Sequence, residues 1–211
     1  MDQFRSELVS WAAIERLSRR LAGKIRDSGF SPDIIVAVAR GGYVPARLLC
    51  DYLDIQALSS IQIAHYTAGA TKIPEARLVE IPSRDLRGKN VLLTDDVSDT
   101  GDTLKLARRH FTDSGVNALR IGVLHHKQSS AVKPDMYAQK IIKWRWLIYP
   151  WAVYEDVAGF IARLPEPPAG TDEAVRLLDK HFGLRIRREL MAEILRAAEY
   201  PVQGSNIKFI F

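Results

Sequence analysis

The sequence predicts an α/β fold, a mainly parallel central sheet flanked by helices. Short apolar and β-branched runs alternate with helical patterns at the spacing of βαβ units. One run, Ile34-Ile35-Val36-Ala37-Val38-Ala39, is apolar throughout and too short for an ordinary helix, the mark of a strand buried on both faces. Glycine-containing turns directly follow two such runs, at the strand ends where a parallel sheet gathers its ligands.

Ser10 is a good N-cap for a first helix, which carries Trp11, Ile14, Leu17, Leu21 and Ile25 on one stripe and stops at Gly29. After Ser31-Pro32 the buried strand covers Asp33 to Ala39, and Arg40-Gly41-Gly42 ends it. Pro45 suits a first helical turn, and Ala46 to Leu53 continue as a short helix. Ile61 to Tyr66 reads as a strand, Thr67 to Pro74 as a polar, flexible loop, and Leu78 to Ile81 as a short strand. Asn90 to Thr94 is a third buried strand, Thr103 to Ser114 a helix stopped by Gly115, and Ala118 to Leu124 a fourth strand.

Past Pro150 the pattern changes. Leu164 to Gly170 is a proline-rich, stiff connector; helices over Thr171 to Phe182 and Leu184 to Glu199 follow it, and a strand over Ile207 to Phe211. The expected organisation is one domain over residues 1–164 and a helical extension over 165–211. The extension is too short to hold a core unaided and is expected to dock on the main domain or on a partner subunit.

Composition narrows the function classes. Of 211 residues, 47% are apolar and 26% charged, values that exclude fibrous and wholly disordered chains. No apolar run approaches the roughly 20 residues that span a bilayer. The first residues carry acids where a signal peptide would be uninterruptedly apolar. The single cysteine, Cys50, permits neither an internal disulfide nor a cysteine-based zinc cluster, and points to a reducing, cytoplasmic setting. A net charge of +5 suits an anionic partner such as a phosphate ester. The basic residues are interleaved with acids, which gives only weak support to nucleic-acid binding.

The most informative segment runs from Val91 to Leu104. A buried strand enters a cluster of acids, Asp95, Asp96 and Asp99, and then a Thr100-Gly101-Asp102-Thr103 turn that opens a helix. Hydroxyls, a glycine and the N–H groups of a helix start make a cradle for phosphate. Acids beside such a cradle would repel a bare phosphate. They suit a ligand whose sugar hydroxyls donate to them, or a divalent cation bridging carboxylate and phosphate oxygens, and a ribose phosphate meets both conditions. The spacing fits no EF-hand, no Walker loop and no dinucleotide-binding glycine turn.

Val91 to Leu104 resembles the phosphoribosyl pyrophosphate (PRPP) signature of type I phosphoribosyltransferases. The resemblance implies that Asp95 and Asp96 hold the ribose hydroxyls, directly or through Mg²⁺, that Asp99 lies near the purine N7 as general base or acid, and that Thr100, Gly101, Asp102 and Thr103 bind the 5′-phosphate. Asp102 is compatible with that turn if its side chain points outward. Arg40-Gly41-Gly42 is similar to the family's pyrophosphate loop, in which a strained, often cis, peptide wraps the leaving group. The Thr67 to Pro74 loop matches in position the hood that closes over PRPP, with Lys72 and Arg77 as cations that could neutralise pyrophosphate.

Lys127, with Trp146 and Leu147 about 20 residues on, is similar to the base site of the xanthine-guanine and hypoxanthine branch. There a lysine contacts O6, an aromatic ring stacks on the base and the next residue's carbonyl reads position 2. The sequence departs from that branch at Ala152, where an acid is common. Trp144 and Trp151 read as core or interface aromatics, and His125-His126 as strand neighbours facing opposite ways, unsuited to one metal. The resemblance implies a 6-oxopurine phosphoribosyltransferase with PRPP and a purine base as substrates, Mg²⁺ as cofactor and a homodimer or larger assembly. The alternatives are transfer to adenine or uracil, and a non-catalytic PRPP-sensing regulator that binds nucleic acid.

Overall fold

The computed structural model describes residues 4–67 and 71–199. In chain order the elements are β1 (Ser6–Leu8), α1 (Trp11–Asp27), β2 (Ile34–Ala39), α2 (Tyr43–Leu53), β3 (Leu58–Thr67), β4 (Thr71–Glu80), β5 (Asn90–Ser98), α3 (Asp102–Asp113), β6 (Ala118–Lys127), β7 (Met136–Ile141), β8 (Trp146–Ile148), α4 (Val153–Ala162), α5 (Thr171–Phe182) and α6 (Arg188–Glu199). Among these, no helix is long and apolar enough to cross a membrane.

The chain divides into two compact units. One takes in residues 11–65 and 73–144 and holds the six-stranded sheet, ordered β4-β3-β2-β5-β6-β7. The pairs β2–β3, β2–β5, β5–β6 and β6–β7 are parallel. Alternation along the strands builds two cores. Ile34, Val36 and Val38 face Leu104, Ala107 and Phe111 of α3, while α1 and α2 cover the other face. There Gly122 of β6 lets Leu21 of α1 approach the sheet closely.

The second unit takes in the described residues of 1–10, 66–72 and 145–211. β1 pairs in parallel with β8, and β8, α4, α5 and α6 share a core of Ile148, Phe160, Leu178, Phe182 and Met191. Phe160 and Phe182 stack at 4.8 Å between centroids. The boundary expected at residue 165 is therefore replaced. The connector ends no compact unit: α4 buries Val157 and Phe160 in one core with the two helices that follow it.

Several elements differ from expectation. The loop expected over Thr67 to Pro74 is largely strand: Thr67 closes β3 and Thr71 opens β4, and 68–70 lie outside the described residues. β4 neighbours β3 at the sheet edge, and that pairing overrides the polar composition. β5 continues past Thr94 through the acids to Ser98, because β6 pairs with it along its whole length. β1, β7, β8 and α4 are additions. The strand expected over 207–211 lies outside the described residues.

Candidate active site

Adjacent strands β2 and β5 bring the two glycine-bearing motifs together. Ala37 is level with Thr94, so the turn after Ala39 and the acids after Thr94 emerge at one height. From β2 the chain moves to β3 on one side, while β5 lies on the other. That reversal opens a crevice at the strands' carboxyl ends.

The Ala39–Arg40 peptide is cis. Gly42 donates its N–H to the Val38 carbonyl at 2.8 Å and Tyr43 donates to that of Arg40 at 3.2 Å. The Gly42 amide is thus committed inside the turn. What Gly42 supplies is compactness: a Cβ there would stand 2.7 Å from the Val38 carbonyl oxygen and also collide with that of Thr94. Gly41 lies against the acid cluster. A Cβ on it would come within 2.6 Å of Asp96 Cγ.

Asp95 is buried and accepts the Asp96 N–H at Oδ1, 2.9 Å away. Burial, reinforced by the neighbouring Asp96 charge, holds its carboxyl well above the ordinary range. Beneath it Thr94 donates to the Gly122 carbonyl at 3.0 Å, which anchors β5 to β6 below the site.

The turn from Thr100 to Thr103 is braced from behind. Gly101 has φ +93°, and a Cβ there would lie 2.8 Å from the Val132 nitrogen. Ala131 donates to the Thr100 carbonyl at 2.9 Å, and the Ser98 and Ser130 hydroxyls are 2.8 Å apart. Gly101 supplies no side-chain cap to α3; the Asp102 N–H donates to Thr100 Oγ1 at 3.4 Å, and the N–H groups after it suit an anion. Asp102 departs from expectation. Its carboxylate does not simply point outward; it folds back and accepts the Thr100 hydroxyl at 2.9 Å, because a short acid at a helix start competes for nearby donors. A phosphate bound here has to win that hydroxyl. Thr103 is half-buried beside it.

Lys127, at the end of β6, reaches Asp99 Oδ2 at 2.8 Å, with side chains only 3% and 12% exposed. Burial lowers the proton affinity of the lysine, and the Asp99 charge pulls the other way. The Trp144 indole N–H donates to Asp99 Oδ1 at 3.0 Å, and Lys127 Nζ lies 4.3 Å from that ring's centroid. Trp144, read from sequence as a packing aromatic, is thus part of the cluster. Its place depends on β7, whose mixed polarity gave no strand signal. Ser98, Ser130 and Val132 were also missed, since a brace between distant loops leaves no local pattern. Trp146 and Leu147 form the start of β8 in the second unit, where Leu147 is buried and Trp146 packs against that unit's core.

Arg40 and Gly41 after β2, Asp95, Asp96 and Asp99 at the end of β5, and Lys127 at the end of β6 stand at neighbouring strand ends, three acids with two cations. Among the described residues no three acidic, histidine or cysteine side chains form a protein-only metal cage. Mg²⁺ is commonly held by one or two carboxylates and completed by substrate oxygens. The repelling Asp95–Asp96 pair at the glycine loop fits that donor set.

The model of the phosphoribosyl transferase domain matches residues 5–156. A xanthine-guanine phosphoribosyltransferase of Ruegeria sp. (strain TM1040) is 29% identical over 174 residues, 78% of this chain and 91% of the relative. The purine phosphoribosyltransferase of Pyrococcus horikoshii Ot3 superposes with a TM-score of 0.59 at 33% identity, over 69% of this chain and 93% of that one. A hypothetical protein of Neisseria gonorrhoeae with bound ppGpp gives 0.63 at 26% identity, over 76% and 96%. With the model spanning more than half the chain and the two signature loops in contact, the chain belongs to the phosphoribosyl transferase domain family.

Proposed function

We propose that this chain is a purine phosphoribosyltransferase of the 6-oxopurine class, active in purine salvage: it converts hypoxanthine, guanine or xanthine and PRPP to the nucleoside 5′-monophosphate and pyrophosphate. The observation that carries the reading is the contact of Gly41 with Asp96, since a pyrophosphate loop and a ribose-holding acid must meet at C1′ of one donor. The Lys127–Asp99 pair supports the choice of base. A buried ammonium suits a carbonyl at position 6, and a neighbouring carboxylate suits a ring N–H. The relatives named xanthine-guanine phosphoribosyltransferases support the same class.

In the reaction the C1′–O bond to pyrophosphate breaks, a C1′–N bond to the base forms, and the base gives up a proton, for which Asp99 is the acceptor. Arg40 and Gly41 face the leaving group, Asp96 and Asp95 fix the ribose hydroxyls, and Thr100, Gly101 and Thr103 hold the 5′-phosphate, with the Asp102 carboxylate giving up Thr100. Positive charge that builds on the ribose is met by the two acids. Mg²⁺, held by Asp95 and Asp96 together with PRPP oxygens, supplies neutralisation of the leaving pyrophosphate when bound. On the resemblance alone, Trp146 is the stacking aromatic and Leu147 the reader of position 2. The reading carries with it a cytoplasmic setting and a homodimer or larger assembly.

The test is pyrophosphate release with PRPP and Mg²⁺ across hypoxanthine, guanine, xanthine, adenine and uracil. Turnover of at least one 6-oxopurine and of neither adenine nor uracil is expected, with Asp96→Asn lowering it about 100-fold or more. Activity with adenine alone overturns the role of Lys127. Salt-dependent nucleic-acid binding without any turnover overturns the enzyme.

A further inference from the structure

Trp144 lies outside every motif that marks the family's substrate loops, in the turn after β7, yet it touches both members of the ion pair assigned to the base. Its indole N–H donates to Asp99 Oδ1 at 3.0 Å. Its ring face stands 4.3 Å from Lys127 Nζ, which itself holds Asp99 Oδ2 at 2.8 Å. The three groups close a triangle, with edge on carboxylate, face on ammonium, and ammonium on carboxylate. Lys127 and Asp99 are shielded, whereas Trp144 is 43% exposed and forms the solvent side of the cluster.

A buried ammonium is costly without a partner at every moment, and so is a shielded carboxylate without a donor. As it stands, the pair satisfies itself and holds the position that a 6-oxo group needs. A base can enter only if Lys127 changes partner and Asp99 keeps one. Trp144 supplies both conditions. Its ring face attracts the lysine whichever oxygen the lysine holds. Its N–H, bound to Oδ1, remains on Asp99 after Lys127 has turned away and leaves Oδ2 facing the base.

We propose that Trp144 is a positioning residue of the base site: a 6-oxopurine binds by exchange, its O6 taking Lys127 from Asp99, while the Trp144 N–H keeps the Asp99 carboxylate oriented toward the ring N–H. The proposal rests on the 6-oxopurine reading and deepens it.

Two variants of the full chain separate the two contacts. Trp144→Phe keeps a ring over Lys127 and deletes the N–H; Trp144→Ala deletes both. With PRPP and Mg²⁺ saturating, Trp144→Phe is expected to lower kcat roughly 10-fold while KM for the 6-oxopurine changes less than about threefold, and Trp144→Ala to raise that KM as well. Wild-type kcat in Trp144→Phe overturns the proposal. So does an equal loss in all parameters, including KM for PRPP, that tracks a lowered Tm in both variants, since that is the pattern of a packing residue.

The indole ¹⁵N–¹H resonance missing from Trp144→Phe identifies Trp144 in the wild-type spectrum. In the absence of any substrate, Asp99→Asn is expected to move it more than the indole signals of Trp11, Trp146 and Trp151. An unmoved signal overturns the triangle itself. Absence of wild-type turnover with every base, while the signal still follows Asp99, overturns the 6-oxopurine reading and the exchange with it, a distinguishable failure.

Discussion

Burial places the Asp95 carboxyl beside a second carboxyl, and both burial and the Asp96 charge favour its protonated form over the ordinary value of 3.8. A group whose folded pKa is raised contributes stability that is complete below the unfolded value and is lost as pH rises through the folded one. Without metal or PRPP, the wild-type chain should therefore lose stability between acid and neutral pH on account of this residue, and Asp95→Asn should not. Thermal melts at about pH 5 and about pH 8 should show the variant gaining on the wild type as pH rises. A constant difference between the two melting curves would contradict the account. The same variant should transfer poorly, because a site that tolerates a buried acid does so for its ligand rather than for the fold.

At the scale of elements, the long strands and capped helices were legible because their signals are local. The buried run of β2 and the stripe of α1 needed no tertiary information. β7 was not legible: Met136 to Ile141 mixes buried and exposed positions irregularly, and only its pairing with β6 makes it a strand. That miss hid Trp144. α4 was hidden in another way, since its apolar residues look unpartnered until α5 and α6 are seen to cover them. Phe182 is 2% exposed and stacked on Phe160, so Phe182→Ala should cost about 3–5 kcal/mol in chemical denaturation. Replacing Asp172 by alanine, which breaks the exposed Arg188–Asp172 pair on the same helices, should leave the denaturation midpoint nearly unchanged. Similar losses from the two substitutions would mean that the helices are held by their surfaces rather than by the shared core.

For the molecule as a whole, the strand order decides the function. The chain leaves β2 toward β3 and returns on the other side as β5, so loops more than fifty positions apart become neighbours. The acids, the Thr-Gly-x-Thr turn and the glycine pair were legible as partners at one rim, because both follow buried strands of a parallel sheet. What was not legible is the strand order that sets β2 directly beside β5. The details of each loop also escaped the sequence: the Gly42 amide turned inward, and Asp102 folded onto Thr100. The two glycines now make distinct demands. An added Cβ at Gly42 meets backbone on both sides, whereas at Gly41 it meets the end of the Asp96 side chain, which can rotate away. Gly41→Ala should therefore displace Asp96 while sparing the fold. Calorimetric titration of PRPP with Mg²⁺ into the wild type and Gly41→Ala tests the shared site most directly. Saturable binding by the wild type, weakened about tenfold or more in the variant at nearly unchanged Tm, is the predicted result. Equal affinity in the two proteins, or no binding by the wild type, would contradict it.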